Sequence, residues 1–203
     1  MTLTARLGWG LTAFLSIGVA LVSARYVLPG WPGGAPNVIT NPMAPYALAA
    51  HAAAALTALT IGPFQFIAAI RRRWPTWHRR LGTLYIAACL LGGLSGLVLA
   101  SRTTAGPIAV GGFGLLALAW LGVNANAWRL ARARRFAEHE RWMIRSFALT
   151  FAAVTLRLYL PIWPMLGGDF MEAYRWISWI AWVPNLIVAE LFFVPRASLS
   201  ATR

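Results

Sequence analysis

The chain is 203 residues long, 59% apolar and only 11% charged, and its 18 basic residues against 5 acidic ones give a formal net charge of +13. A water-facing surface carries about a quarter to a third charged residues, so this composition excludes an ordinary soluble domain and leaves a polytopic membrane protein. Every basic residue is arginine, and the arginines stand in short clusters between apolar runs, a pattern that sets membrane topology and argues against a nucleic-acid partner.

Six segments carry the roughly 20 mostly apolar residues needed to cross ~30 Å of hydrocarbon. They lie near Gly8–Leu28, Tyr46–Ile70, Leu81–Ala100, Ile108–Leu130, Met143–Met165 and Trp176–Val194. They predict an all-α, integral membrane six-helix bundle in which residues 1–203 form a single transmembrane domain. In the first segment, Arg6, a short apolar run and Val22-Ser23-Ala24 also fit a secretory signal peptide, whose cleavage would leave five spans. The apolar run continues through Tyr26-Val27-Leu28, which favours a span. Next, Pro29–Pro45 is rich in Pro and Gly and reads as a turn-rich loop over the membrane surface.

The second span places His51 on one stripe with Ala55, Ala58, Gly62 and Gln65, whose small residues admit a neighbouring helix or a ligand. Between spans two and three, RRRWPTWHRR carries His78. The face that His78 begins continues through Leu81, Tyr85, Cys89, Gly92 and Gly96, and the G-x-x-x-G pair either lets another backbone approach or makes room for a flat cofactor. Asn124 and Asn126 in the fourth span and Asn185 in the sixth are expected to hydrogen-bond between helices.

His139 precedes the fifth span as His78 precedes the third. Arg157, inside the fifth span, shares a stripe with Ser146, Thr150, Ala153 and Pro161. Ionisable groups at that depth cost at least ~2.5 kcal/mol at a helix centre and tend to face a bundle interior. Arg157 therefore either lines an outer polar pocket with His51 and Gln65 or snorkels to carbonyls near Pro161 and Pro164. Glu190, the one acid within a span, is expected to pair with Arg129, Arg145 or Arg196; a proton relay would need a second carboxylate in a span, and none exists. Tryptophans gather near span ends as an interfacial belt.

An N-terminus in the cytoplasm puts Arg6, Arg71, Arg72, Arg73, Arg79, Arg80, Arg129, Arg132, Arg134, Arg135, Arg141, Arg145, Arg196 and Arg203 on the inner face. Only Arg25, Arg102 and Arg175 remain outside, so positive-inside bias predicts both termini cytoplasmic, as in a multi-pass protein of a bacterial inner membrane. Spans two and three also echo spans four and five: WHRRLGTLYIAA (Trp77–Ala88) falls on EHERWMIRSFAL (Glu138–Leu149) at an offset of 61, which gives His78 and His139 equivalent places. Imidazoles at one depth on neighbouring helices can grip one haem iron from opposite faces, with Arg79, Arg80 or Arg141 beside its propionates. The bland alternative is a pair of half-wet interfacial histidines bonded to lipid phosphate or backbone. No Ser/His/Asp triad, phosphate-cradling loop or H-E-x-x-H helix is present, so no hydrolytic activity is read from the chain.

The strings HAAAALTALTIGPFQFIAAIRRRWPTWHRRLGTLY (His51–Tyr85) and HERWMIRSFALTFAAVTLRLYLP (His139–Pro161) resemble a family of bacterial polytopic membrane proteins defined as a domain of unknown function. More loosely, six spans with cytoplasmic ends and histidines on spans two, three and five resemble the ascorbate-reducing transmembrane cytochromes b. That likeness implies that His78 and His139 hold an inner haem b and that His51 is half of an outer pair. The outer part of span four, TTAGPIAVGGFG (Thr103–Gly114), has no histidine or methionine, so the fourth ligand is missing.

The expectation is then an electron-transfer protein binding haem b between His78 and His139, with a quinone or small reductant as redox partner and anionic lipid at its basic face. The alternatives are a non-catalytic subunit or assembly factor that docks a membrane complex, and a small-molecule transporter. For transport, no broken-helix pair is evident in the sequence.

Overall fold

A computed structural model describes residues 3–27 and 44–195. Among these residues all regular structure is helical: α1 (Leu3–Ser23) with a 3-10 turn at Ala24–Tyr26, α2 (Ala44–Gln65), α3 (Ala68–Arg73), α4 (Pro75–Ser101), α5 (Pro107–Arg132), α6 (Phe136–Thr150), α7 (Ala152–Tyr159), α8 (Ile162–Met165), α9 (Phe170–Ile180), α10 (Val183–Val188) and a π-helical stretch at Ala189–Phe193. Six helices, some of them jointed, are long and apolar enough to cross a membrane: Arg6–Tyr26, Tyr46–Gln65, Pro75–Ser101, Pro107–Arg132, Phe136–Met165 and Phe170–Phe193. Most of the Pro29–Pro45 loop, and Trp31, Arg196 and Arg203, lie outside the described residues.

Proline sets several boundaries. Pro75 and Pro107 occupy the first turns of α4 and α5, where a missing N–H costs nothing. The third span therefore starts six residues before the apolar run does, and His78 sits inside the helix. The second span ends at Gln65, short of the expected Ile70, because Ile67 is extended (φ −76°, ψ 106°) and α3 starts afresh. Pro184 supplies no N–H to continue the α9 ladder, so the sixth span breaks at Ala181–Trp182. The fifth span turns at Phe151, where Val154 N–H bonds the Phe151 carbonyl at 2.9 Å in 3-10 fashion.

These two breaks correct the expectation of unbroken spans, and they are stitched to each other. The Thr155 hydroxyl bonds the Ala181 carbonyl, and Asn185 Nδ2 donates to that carbonyl at 3.0 Å and to Thr155 Oγ1 at 3.1 Å. Asn185 thus joins helices as expected, whereas Asn126 stays on its own helix, accepting from Arg129 Nη2 at 2.8 Å. Glu190 pairs with Arg145.

The main core lies between α2, α4, α5 and α6, with α1 packed on α2 and α9 on α5. Small residues let these helices close: a Cβ at Gly62 would meet the Phe147 ring at 2.6 Å, one at Gly92 the Trp120 ring at 2.7 Å, and one at Gly93 Leu121 at 2.6 Å. At its centre Tyr85, Asn124, Ser146 and Thr150 are buried together. Trp120 Nε1–H donates to Thr150 Oγ1 (3.0 Å), the Thr150 hydroxyl donates to the Ser146 carbonyl (2.9 Å), the Tyr85 hydroxyl lies 2.9 Å from both Thr150 Oγ1 and Ser146 Oγ, and Ser146 donates to Asn124 Oδ1 (2.8 Å). Asn124 Nδ2 then donates to the Trp120 carbonyl at 2.8 Å, returning the chain to its start.

Replacing Tyr85 with Phe removes the middle link, and it is expected to destabilise the folded chain by about 0.6 to 1.7 kcal/mol, the range of side-chain hydrogen bonds between membrane helices. Thermal unfolding in detergent measures it, with Tyr46→Phe as the control, since Tyr46 is 82% exposed and should not move the transition.

Candidate functional site

A cavity of about 830 Å³ opens at the arginine-rich end of the bundle. This is within the roughly 300–1,000 Å³ span of ligand and cofactor pockets. Two helical stripes build much of its wall. On α4 the residues are Pro75, His78, Arg79, Gly82, Thr83 and Ile86, and on α6 they are Phe136, Ala137, His139, Glu140 and Met143, both spaced by three and four. The end of α5 contributes Trp128, Ala131 and Arg132; Gln65, Phe66 and Arg71 close the remaining side.

His78 and His139, on different helices, both line this cavity. Each is the fourth residue of its helix, and each backbone N–H bonds the residue four before it: His78 to Trp74 at 3.0 Å, His139 to Arg135 at 2.9 Å. The His139 Nδ1 stands 2.9 Å from the Ala127 carbonyl. A carbonyl only accepts, so Nδ1 carries a proton, and Nε2 is the nitrogen that offers a lone pair in the neutral ring. Metal-binding histidines are oriented by such a second hydrogen bond. The His78 Nδ1 is buried with no hydrogen-bond partner among the described residues. No cluster of three or more His, Cys, Asp or Glu side chains that could hold a bare metal ion occurs among the described residues.

Arginines ring the cavity, though they are not all the expected ones. Arg79 lines it. Arg80, one residue on and about 100° around the helix, leans instead over the Trp77 ring at 5.9 Å. Arg141 is two residues past His139, on another side of α6, and is not part of the lining. Arg71 and Arg132 take their places. The spacing of Trp128, Ala131 and Arg132 by three and one carried that signal for Arg132; nothing in the sequence brought Arg71 across from α3. Arg71 also approaches Glu140 at 3.9 Å, with both side chains about half exposed, a pair worth at most ~1 kcal/mol.

Gln65 is a second correction. It lines this cavity and not a pocket with His51, because 14 residues along α2 correspond to ~21 Å. His51 lies toward the other end, its Nδ1 donating to the Gly92 carbonyl at 2.8 Å and its ring edge-on to Trp120 at 6.4 Å. Gly96 packs against the same imidazole, at 3.4 Å from a built Cβ. The glycine pair of α4 therefore accommodates two side-chain rings, Trp120 and His51. Arg157 is half-buried on α7 and donates from Nη1 to the Ala153 carbonyl at 3.0 Å.

Gly92 and Gly82 sit on the same helix with opposite tolerance. A methyl at Gly92 meets the Trp120 ring, while one at Gly82 meets only the movable Gln65 Oε1 at 3.3 Å. Gly92→Ala is expected to lower the unfolding temperature by several degrees, about 1–3 kcal/mol of overpacking, and Gly82→Ala to leave it unchanged or raised, as parallel thermal melts would register.

No curated protein and no solved structure matches the chain. A family model does, over a stretch that holds His51, His78, His139 and Arg157 and leaves out the first span. The chain belongs to that family, described as "Predicted membrane protein (DUF2306)", whose model matches residues 48–193.

Proposed function

We propose that this protein is a b-type cytochrome of the bacterial inner membrane, holding one haem b between His78 and His139 and exchanging electrons with a quinone or small reductant. The observation that carries the reading is that two imidazoles from different helices line one cavity, one of them oriented by its Nδ1 bond to the Ala127 carbonyl. Haem would supply reversible one-electron chemistry at the iron. The chain's own residues do the rest. Ala127 holds the His139 tautomer. Phe66, Ile86, Trp128 and Met143 give the cavity apolar walls, which would shield a bound haem from water. Arg71, Arg79 and Arg132 face the cavity as cationic partners for propionates, and their positive charge favours the more electron-rich state of whatever they surround. The arginine-rich end is cytoplasmic in this reading, by the positive-inside bias of the loops.

Protein purified after haem-replete expression is expected to show a Soret band with one haem per chain. His78→Ala and His139→Ala should each abolish or shift that band, while His51→Ala, remote from the cavity, should leave it. A colourless purified protein, or haem retained by the His78→Ala/His139→Ala double variant, would overturn the reading.

A further inference from the structure

The opposite end of the bundle, where few arginines lie, holds two that topology does not explain. Arg25 is in the 3-10 turn after α1 and Arg157 in the last turn of α7. The helices that carry them pack together: Val154 of α7 shares a buried cluster with Ala20 of α1, and Leu156 and Leu160 lie against Ala173 and Ile177 of α9, the helix of Tyr174, so both arginines gather at this end with Tyr26 and Tyr174. Arg25 Nη2 donates to the Tyr26 hydroxyl at 3.0 Å, its guanidinium lies 4.9 Å above that ring, and its Nε is buried with no hydrogen-bond partner among the described residues. Arg157 makes one side-chain hydrogen bond among the described residues, to Ala153, out of the five N–H groups a guanidinium offers.

No acidic side chain pairs with them among the described residues. Of the chain's five, Glu138, Glu140 and Glu190 pair with Arg135, Arg71 and Arg145 at the other end. Asp169 caps α9 by accepting from the Glu172 N–H at 2.8 Å, and neither it nor Glu172 forms an ion pair among the described residues. Residues 28–43 contain no acidic side chain. Two like charges, each partly buried and with most of its donors unpartnered among the described residues, repel each other unless an anion joins them. The planar forks match the oxygens of a phosphate group two at a time.

We infer that Arg25 and Arg157 form an oxyanion site for a phosphate group, with the Tyr26 and Tyr174 hydroxyls at its rim. The same chemistry serves a lipid headgroup or free phosphate. This site is separate from the histidine cavity and does not depend on haem.

The test uses the full chain in neutral detergent. Its unfolding temperature is followed against inorganic phosphate at constant ionic strength and, in parallel micelles, against phosphatidylglycerol with phosphatidylcholine as the uncharged reference. A saturable rise with inorganic phosphate identifies a free-anion site; a rise with phosphatidylglycerol alone identifies a headgroup site; either supports the inference. Arg157→Gln and Arg25→Gln should each weaken the response about tenfold or more, the loss expected for charge-assisted hydrogen bonds, while Arg102→Gln, an exposed arginine of the same end, should keep it. Arg157→Lys preserves charge without the fork and should fall between, which covers a Gln variant that does not fold. No rise with either ligand, or an Arg157→Gln response equal to wild type, would overturn it.

Discussion

The Tyr85 hydroxyl links α4 to α6 through Ser146 and Thr150, and much of the architecture follows from that contact. Within hydrocarbon the hydroxyl has no water to turn to, so the two helices must hold the height at which it is met. Tyr85 lies seven residues beyond His78, and Ser146 lies seven beyond His139, so one hydrogen bond at mid-bundle sets the two imidazoles level some 10 Å away. Trp120 and Asn124 tie α5 into the same cluster. Because Trp120 also meets Gly92 and the His51 ring, the cluster positions side chains toward both ends.

The two ends then differ in how charge is handled. At the arginine-rich end the acids are shared among arginines and the histidines open on a cavity. At the other, Arg25 and Arg157 have no ion pair among the described residues, Asp169 and Glu172 stand exposed at the start of α9, and the Tyr26 ring lies under the Arg25 guanidinium. Positive charge is abundant in both, yet in one it borders a space of cofactor size and in the other it is drawn into the protein among tyrosines.

Much of this was legible in the sequence because hydrocarbon thickness and helical periodicity are strict. Six apolar runs gave six spans, and the 61-residue offset gave His78 and His139 equivalent places; Tyr85 with Ser146 and Cys89 with Thr150 obey the same offset in space. Depth was less legible along α2, where a stripe passes through His51 and Gln65 without saying that they occupy different ends. Rotation was harder still. Counting arginines near a histidine cannot separate Arg79 from Arg80, which differ by 100° around the helix. The breaks at Phe151 and Ala181 had a signal only in Pro184, since Thr155 and Asn185 declare their partnership only when the two spans lie side by side.

That partnership has a mechanical meaning. With Thr155 and Asn185 holding the Ala181 carbonyl between them, the last two spans share a single elbow instead of two independent kinks. Every α6 residue that walls the histidine cavity, Phe136 to Met143, precedes that elbow. Arg157 and Tyr174 lie on its far side. Bending there would shift the arginine-poor half while the cavity stayed clamped by the Tyr85 cluster, leaving one end of the molecule rigid and the other free to adjust.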